Sequence, residues 1–161
     1  MRYRTLGRTG IKVSPYGLGT LMYATSMGND PGDSARIIHK AIDAGINVID
    51  TADAYGDSEV VVGKALEGRR DDVVLATKFS RPTGQDPNHQ GASRRWIVTA
   101  VENSLRRLRT NHIDLYQLHR PDPDTDIEET LAALTDLIRS GKVRAIGASQ
   151  TPVAGIVEAH W

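Results

Sequence analysis

Each of five predicted strands ends on a polar residue or is followed at once by one, and the types of these residues point to acid–base chemistry. The five residues are Thr20, Asp50, Lys78, His119 and Ser149. In parallel α/β folds the carboxyl ends of the strands share one face of the molecule, so side chains about 30 residues apart in sequence converge on one pocket. We therefore expect Asp50, Lys78 and His119 to be neighbours.

Taken one at a time, these residues have ordinary structural explanations. An aspartate after a strand is often a helix cap, a lysine there is usually a surface charge, and a lone histidine is commonly a structural residue with satisfied hydrogen bonds. Here three ionisable groups of complementary type occupy equivalent positions of successive units. Coincidence is therefore the weaker explanation.

Tyr55, five residues after Asp50, completes a set that is suited to proton transfer. A phenol has a pKa of about 10 and is a poor acid at neutral pH unless a nearby cation stabilises its phenolate. Lys78 would supply that cation, and Asp50 would be the counter-ion that a pocketed ammonium needs. Tyr55 and His119 could then hold a carbonyl oxygen that gains negative charge as a nucleophile or hydride reaches its carbon. This pattern predicts carbonyl reduction.

Short sequence motifs do not identify the hydride donor and do not indicate a metal. The chain has no GxGxxG after a strand and no GxxxxGK[ST], so neither a dinucleotide fingerprint nor a P-loop is present. Metal-assisted hydrolysis needs a cluster of ligands, and the histidines lack HExxH or HxH spacing. They stand at positions 39, 89, 112, 119 and 160. We expect no metal site.

Composition describes one ordinary globular domain, and we predict a single domain over residues 1–161. The 20 Lys and Arg residues balance the 20 Asp and Glu residues without a long like-charge block, so no nucleic-acid or membrane partner is expected. The absence of cysteine excludes disulfides and thiolate chemistry. The start "MRYRTLGRTGIKV" lacks the apolar core of a secretory signal, and no stretch approaches the ~20 apolar residues of a membrane helix. We predict a cytoplasmic protein.

The elements that must position these residues alternate along the chain. A small hairpin is predicted around Gly7 to Gly10, followed by strands at 16–20, 46–50, 73–77, 113–119 and 143–149. Helical patterns cover 33–45, 57–68, 93–109 and 126–141, and a fifth helix opens at Thr151 and Pro152. Five strand–helix pairs predict a parallel sheet covered by helices. The chain length favours an open doubly wound sheet over a (β/α)₈ barrel, which needs eight units and ~250 residues.

Two helix starts carry specific capping signals. Asp33 is the candidate N-cap of the first helix. Asp126 and Glu129 have the spacing of a capping box at the start of the fourth helix.

Several segments of the chain closely resemble the aldo-keto reductase family. They are "GLGT" (17–20), "NVIDTADAYGDSEVVVGKAL" (47–66), "VVLATKF" (73–79), "SLRRLRTNHIDLYQLHRPD" (104–122) and "GKVRAIGAS" (141–149). The resemblance covers nearly the whole chain. It implies a (β/α)₈ barrel, which reverses the preference based on length, and an NADPH-dependent reduction of aldehydes or ketones.

The resemblance also implies a role for each site residue. Tyr55 would be the proton donor, Lys78 and Asp50 the pair that tunes it, and His119 the group that orients the carbonyl. Cofactor contacts would come from Thr20, Asp50, Ser149 and Gln150. At Gln150 the chain departs from the family, which usually has an asparagine there to hold the nicotinamide carboxamide. The substrate pocket would be lined by Met22, Tyr23 and Phe79, for which packing at the barrel rim is an equal alternative.

The sequence ends with "TPVAGIVEAHW", inside the helix after the fifth strand. We therefore expect a domain truncated at its C-terminal end, with only the first five of eight βα units and without the phosphate-binding loops of the last strands. Five strands would have two unpaired edges, which could lead to self-association. Three alternatives are a longer natural chain, which we favour, two complementing copies, and a relaxed open sheet. The functional alternative is a non-catalytic truncated or channel-subunit-like binding protein of the same fold.

Overall fold

A computed structural model describes residues 1–159 of the chain as a short hairpin followed by five strand–helix units. The strands are β1 (Arg4–Thr5), β2 (Lys12–Val13), β3 (Gly17–Gly19), β4 (Val48–Asp50), β5 (Val74–Phe79), β6 (Ile113–Leu118) and β7 (Val143–Ala148). The helices are α1 (Pro31–Asp43), α2 (Ser58–Ala65), α3 (Arg94–Leu108), α4 (Ile127–Arg139) and α5 (Val153–Glu158). Each overlaps its predicted segment. Within residues 1–159 no helix is long and apolar enough to cross a membrane.

The five-stranded sheet is entirely parallel, and its strand order is the order of the chain, β3-β4-β5-β6-β7. Doubly wound sheets reverse their strand order at a switch point, whereas barrels add each strand beside the previous one. The fold is therefore that of the first five units of a (β/α)₈ barrel, and the length-based preference for a doubly wound sheet is wrong. The sheet is not closed, and β3 and β7 are its edge strands.

The two faces of the sheet differ because successive side chains of a strand point to opposite sides. Ile49, Leu75 and Tyr116 lie on one side and are fully buried under the helices. They join an apolar core with helix residues Ile38, Val62, Ile97, Val101 and Leu134. On the opposite side the strands present small and aliphatic residues along most of their length and polar side chains, Asp50, Lys78 and Gln117, near their carboxyl ends. In the register between strands, Lys78 lies level with Gln117 and Gly147.

Helix α1 begins earlier than its predicted cap. Asp30, and not Asp33, is the N-cap, and its carboxylate accepts hydrogen bonds from the backbone N–H groups of Gly32 at 2.8 Å and Asp33 at 3.1 Å. The physical reason is Pro31, whose fixed φ suits the first helical position and which has no N–H to satisfy. Asp33 instead lies in the first turn.

Helix α4 starts after Asp126 as predicted, but the capping box does not form. The Asp126 side chain makes no capping hydrogen bond. The Glu129 carboxylate instead accepts a hydrogen bond from the backbone N–H of Arg94 at 2.8 Å. The first N–H groups of a helix have no partner within that helix, and Glu129 of α4 supplies an acceptor for one of them in α3. This contact joins the starts of α3 and α4.

Helices α2 and α3 approach closely at Gly63. A Cβ atom at this glycine would lie 2.5 Å from the carbonyl oxygen of Arg107, and 2.7 and 2.8 Å from backbone carbons of Leu108. All three are backbone atoms, so no side-chain rotation relieves the overlap.

We expect Gly63→Ala to destabilise the protein by about 1 to 3 kcal/mol, because the added methyl group must push α2 away from α3. In an exposed helix the same substitution stabilises by about 1 kcal/mol, so the sign of the effect is diagnostic. Urea unfolding followed by circular dichroism measures it. Lys64→Ala, at the next and exposed position of α2, is the control and should change stability by less than about 0.5 kcal/mol. A Gly63→Ala protein as stable as the natural one would contradict the close contact.

Candidate active site

The Lys78 ammonium is the centre of the candidate site. It donates a hydrogen bond to Asp50 Oδ2 at 2.6 Å and another to the backbone carbonyl of Thr51 at 3.0 Å. The Lys78 side chain is only 8% exposed, whereas that of Asp50 is 35% exposed. A buried ammonium is stable only when it is paired and hydrogen-bonded. Neighbouring strands β4 and β5 thus bring the predicted ion pair together.

Tyr55 lies in the turn between β4 and α2, where its backbone N–H donates to the carbonyl of Ala52 at 3.2 Å. The Lys78 ammonium nitrogen lies 5.3 Å from the centre of the Tyr55 ring. The imidazole of His119 meets the same ring edge-on, with 5.6 Å between ring centres and an interplanar angle of 82°. Asp50, Lys78 and His119 therefore lie together, as their positions at the strand ends predict, and Tyr55 from the turn after β4 joins them.

His119 follows directly after β6, and its backbone N–H donates to the carbonyl of Phe79 at 2.9 Å. Burial lowers the pKa of its imidazole to about 4, with a further contribution from the positive charges of Lys78, Arg81 and Arg120, which Asp50 partly opposes. The imidazole is therefore neutral at neutral pH. Its Nδ1 atom is buried and has no hydrogen-bond partner among residues 1–159.

Gln117 belongs to the site although its sequence context did not single it out. Its side-chain amide donates to Asp50 Oδ1 at 3.3 Å, while Lys78 binds the other carboxylate oxygen. The available signal was the two-residue period of a strand, which places Gln117 on the same side of the sheet as His119. Both oxygens of Asp50 are thus held, which fixes the carboxylate beside Lys78.

Thr20 follows directly after β3 and is fully buried. Its hydroxyl donates to the backbone carbonyl of Asp50 at 3.1 Å, and the Ser58 hydroxyl lies 2.7 Å from the Thr20 carbonyl and 3.0 Å from the Thr20 hydroxyl. These contacts join the ends of β3 and β4 to the start of α2. Thr20 therefore stabilises the segment between β4 and α2, which contains Tyr55, through hydrogen bonds to both of its ends.

Ser149 and Gln150 stand at the same edge of the sheet, after β7. The Ser149 backbone N–H donates to the carbonyl of Leu118 at 2.8 Å, which extends the pairing with β6. Gln150 is exposed and has a φ of 51°, a left-handed conformation that is uncommon outside glycine. Its amide is free of hydrogen bonds to the other described residues.

The three residues predicted to line a substrate pocket have different surroundings. Met22 is 56% exposed in the short 3₁₀ turn Leu21–Tyr23, and Tyr23 is 8% exposed. Phe79 has no exposed surface and stacks on Tyr116, with 4.8 Å between ring centres on the helix side of the sheet. Of the three, Met22 presents the most surface at the carboxyl edge. Their roles in substrate binding remain predictions.

The arrangement combines a phenol hydroxyl, a neutral imidazole and a buried ammonium within one small region. The first two can donate hydrogen bonds to an oxygen on which negative charge develops, and the third stabilises negative charge nearby. Among residues 1–159, no group of three or more His, Asp or Glu side chains is placed to hold a metal ion. Side chains of these types in this arrangement are suited to proton transfer.

Comparison with known proteins agrees with this geometry. The model of the Aldo/keto reductase family matches residues 15–161. Among curated relatives, the chain is 47% identical over 155 residues to aldo-keto reductase YhdN of Bacillus subtilis, which covers 92% of this chain and 47% of that protein. It is 40% identical to 6-dehydroglucose reductase of Novosphingobium aromaticivorans, with coverages of 91% and 51%. It is 38% identical to a putative voltage-gated potassium channel subunit beta of Schizosaccharomyces pombe, with coverages of 98% and 48%.

The chain spans about half the length of the curated relatives it matches. The family match covers all five strands of the parallel sheet and the whole candidate site. On these grounds the chain belongs to the aldo/keto reductase family.

Proposed function

We propose that the protein is an oxidoreductase that reduces aldehydes or ketones to alcohols, with NADPH as the hydride source and Tyr55 as the general acid. The observation that carries this proposal is the position of the Lys78 ammonium, which is bound to Asp50 at 2.6 Å and lies 5.3 Å from the centre of the Tyr55 ring. A buried cation beside a phenol is what proton donation by that phenol requires.

NADPH, when bound, supplies the hydride that the carbonyl carbon receives. The Tyr55 hydroxyl donates its proton to the carbonyl oxygen as negative charge develops there. The charge of Lys78 stabilises the phenolate that remains on Tyr55. Asp50 keeps Lys78 in place, and Gln117 keeps Asp50 in place.

His119 orients the carbonyl group. Because its imidazole is neutral at neutral pH, it carries a single N–H and has no net charge. That N–H donates a hydrogen bond to the carbonyl oxygen from beside the Tyr55 ring. Two donors that converge on one oxygen stabilise its developing charge and fix the direction in which the carbon faces.

The residues at the carboxyl edge of the sheet fit a nicotinamide cofactor. Gln150 is exposed, and its amide offers both a donor and an acceptor, the pair that a carboxamide needs. Ser149 adds a neighbouring hydroxyl and Asp50 a partly exposed carboxylate, whereas the fully buried Thr20 would support the cofactor only by fixing the end of β3 beside β4. The choice of NADPH over NADH rests on the resemblance to the family.

The remaining expectations about partners also stay proposals. The substrate is a small carbonyl compound. Self-association would use the edge strands β3 and β7, whose backbone N–H and C=O groups lack a neighbour on one side within the described sheet. A cytoplasmic location is supported by the lack of cysteine.

A second candidate function is a non-catalytic binding protein similar to a channel subunit. The 38% identity to a putative potassium channel subunit beta favours it. The intact group of Asp50, Lys78, Tyr55 and His119 favours an enzyme, because a scaffold has no need of a buried ammonium beside a phenol. Fluorescence titration with NADPH, followed by assay of aldehyde-dependent NADPH oxidation, separates the two. Binding without any turnover would favour the second candidate.

We expect Tyr55→Phe to lower kcat for a small aldehyde about 10²- to 10⁴-fold, because the proton donor is lost. NADPH binding, measured by fluorescence, should be nearly unchanged because the aromatic ring remains. Tyr16→Phe is the matched control, since Tyr16 is 68% exposed and lies outside the site. Turnover by Tyr55→Phe equal to that of the natural protein would remove Tyr55 from the mechanism.

We expect the His119 imidazole to titrate with a midpoint at about pH 4, in contrast to the usual 6.5. Proton–carbon NMR of the histidine rings measures this midpoint, and His119→Gln identifies the signal by its loss. Because the pKa is lower in the folded protein, the unfolded chain binds more protons between these two values. The contribution to stability is therefore complete above pH 6.5 and declines as the pH falls towards 4. A midpoint close to the usual 6.5 would contradict the lowering of the His119 pKa by burial.

A further inference from the structure

A cavity of about 430 Å³ lies between the loop after β5 and the loop after β6, next to the candidate site. Its lining includes Ser80, Arg81, Gly91, Arg120 and Asp122. Arg120 directly follows His119 in the chain, and Arg81 is three residues beyond Lys78. The cavity is thus lined by residues that directly follow the two segments carrying Lys78 and His119.

Ser80 joins the two loops through an unusual backbone conformation. Its φ of 96° lies in a region that residues other than glycine seldom adopt. The Ser80 hydroxyl donates to the carbonyl of Arg120 at 3.0 Å and accepts from the N–H of Arg120, also at 3.0 Å. Strained residues of this kind persist where the surrounding contacts hold them, and they concentrate at functional sites. This pair of bonds fixes where Arg81 and Arg120 leave the sheet.

The two guanidinium groups remain available to a ligand. Neither forms an ion pair with a carboxylate in the part of the chain that the structure describes. Arg81 is half-buried and Arg120 is exposed.

Two carboxylates also line the cavity, Asp122 and Asp124. The Asp122 carboxylate accepts hydrogen bonds from the backbone N–H of Ala92 at 2.6 Å, the hydroxyl of Thr125 at 2.8 Å and the backbone N–H of Asp124 at 3.1 Å. The Asp124 side chain is exposed at the outer end of the loop. The charges of Arg81 and Arg120 both act on the imidazole of His119, where they lower its pKa. Both arginines therefore contribute positive potential at the His119 imidazole.

We propose that Arg81 and Arg120 bind an acidic group of the substrate, so that the protein prefers aldehydes or ketones that also carry a carboxylate or phosphate. The proposal rests on the carbonyl reduction proposed above and names the substrate class for that site. A guanidinium offers a planar pair of N–H donors that matches the oxygens of such a group. Two of them line one cavity, and the hydrogen bonds between Ser80 and the Arg120 backbone fix the chain from which they extend.

The test compares three aldehydes that share one ring: 4-carboxybenzaldehyde, its methyl ester and 4-formylphenyl phosphate. We expect kcat/KM for the carboxylate to exceed that for the ester about 10- to 100-fold, the range typical of charged hydrogen bonds. The double variant Arg81→Gln with Arg120→Gln should reduce this ratio to near one. Comparison of the carboxylate with the phosphate shows which acidic group the pair prefers. Replacing both arginines by lysine should restore part of the preference, because the charge returns without the planar fork.

The matched control is Arg106→Gln with Arg139→Gln, which removes the same charge at the C-terminal ends of α3 and α4. It should keep the preference for the acidic substrates. Equal kcat/KM values for the carboxylate and the ester in the natural protein would overturn the anion proposal and leave carbonyl reduction intact.

A binding measurement separates the two proposals if no aldehyde is reduced. Benzoate binding by isothermal titration calorimetry, present in the natural protein and lost in the Arg81→Gln, Arg120→Gln variant, would support the anion site while the reductase function fails. Benzoate binding that is absent, or equal in both proteins, would overturn the anion site.

Discussion

The buried ion pair between Lys78 and Asp50 is the interaction on which the rest of the site depends. The Lys78 side chain is 8% exposed, and its ammonium needs a counter-charge at hydrogen-bond distance. The pairing of β4 with β5 must therefore keep the register that places Asp50 opposite Ala76, two residues before Lys78. The Thr51 carbonyl and the Gln117 amide complete the coordination of this pair. Tyr55 and His119 then take positions that the pair defines, one through the turn after β4 and the other through the end of β6.

The helix side of the sheet also contains buried carboxylates, and their protonation differs from one to the other. Glu59 is 1% exposed and receives hydrogen bonds from Thr77 at 2.6 Å and Arg107 at 2.7 Å, which joins α2, β5 and α3 directly behind Lys78. Burial raises the pKa of nearby Asp53 to about 8, and the charge of Glu59 adds to this effect. Asp53 is therefore mostly protonated at neutral pH, in keeping with oxygens that have no hydrogen-bond partner within residues 1–159. Glu59 thus keeps its charge through the pairing with Arg107, whereas Asp53, which has no hydrogen-bond partner for its side chain among the described residues, is neutralised.

Much of the fold could be predicted because its signals are local. Strand-forming runs, helix periodicity and turn residues placed all five strand–helix units, and the carboxyl-edge rule brought Asp50, Lys78 and His119 together. The errors arose where a partner distant in sequence or a neighbouring residue altered a local signal. Pro31 moved the start of α1 to Asp30, and Arg94 drew Glu129 away from its expected cap. For Phe79 the sequence left pocket lining and packing as equal alternatives, and strand alternation places its ring against Tyr116 in the packed layer.

By itself the sequence determined which chemical groups stand at the strand ends, because residue type and strand period are properties of short segments. Only the tertiary structure decided the protonation of these groups and their hydrogen-bond partners. The neutral form of His119 results from burial and from the charges of Lys78 and Arg81 on the neighbouring strand segment and of the adjacent Arg120. Gln117 becomes relevant only when β6 lies beside β5 with Asp50 one strand further. The cavity at Arg81 and Arg120 likewise depends on the contact of Ser80 with a loop forty residues away. The energies of electrostatic interactions and hydrogen bonds depend on distances between atoms in space, and the order of residues along the chain alone does not give those distances.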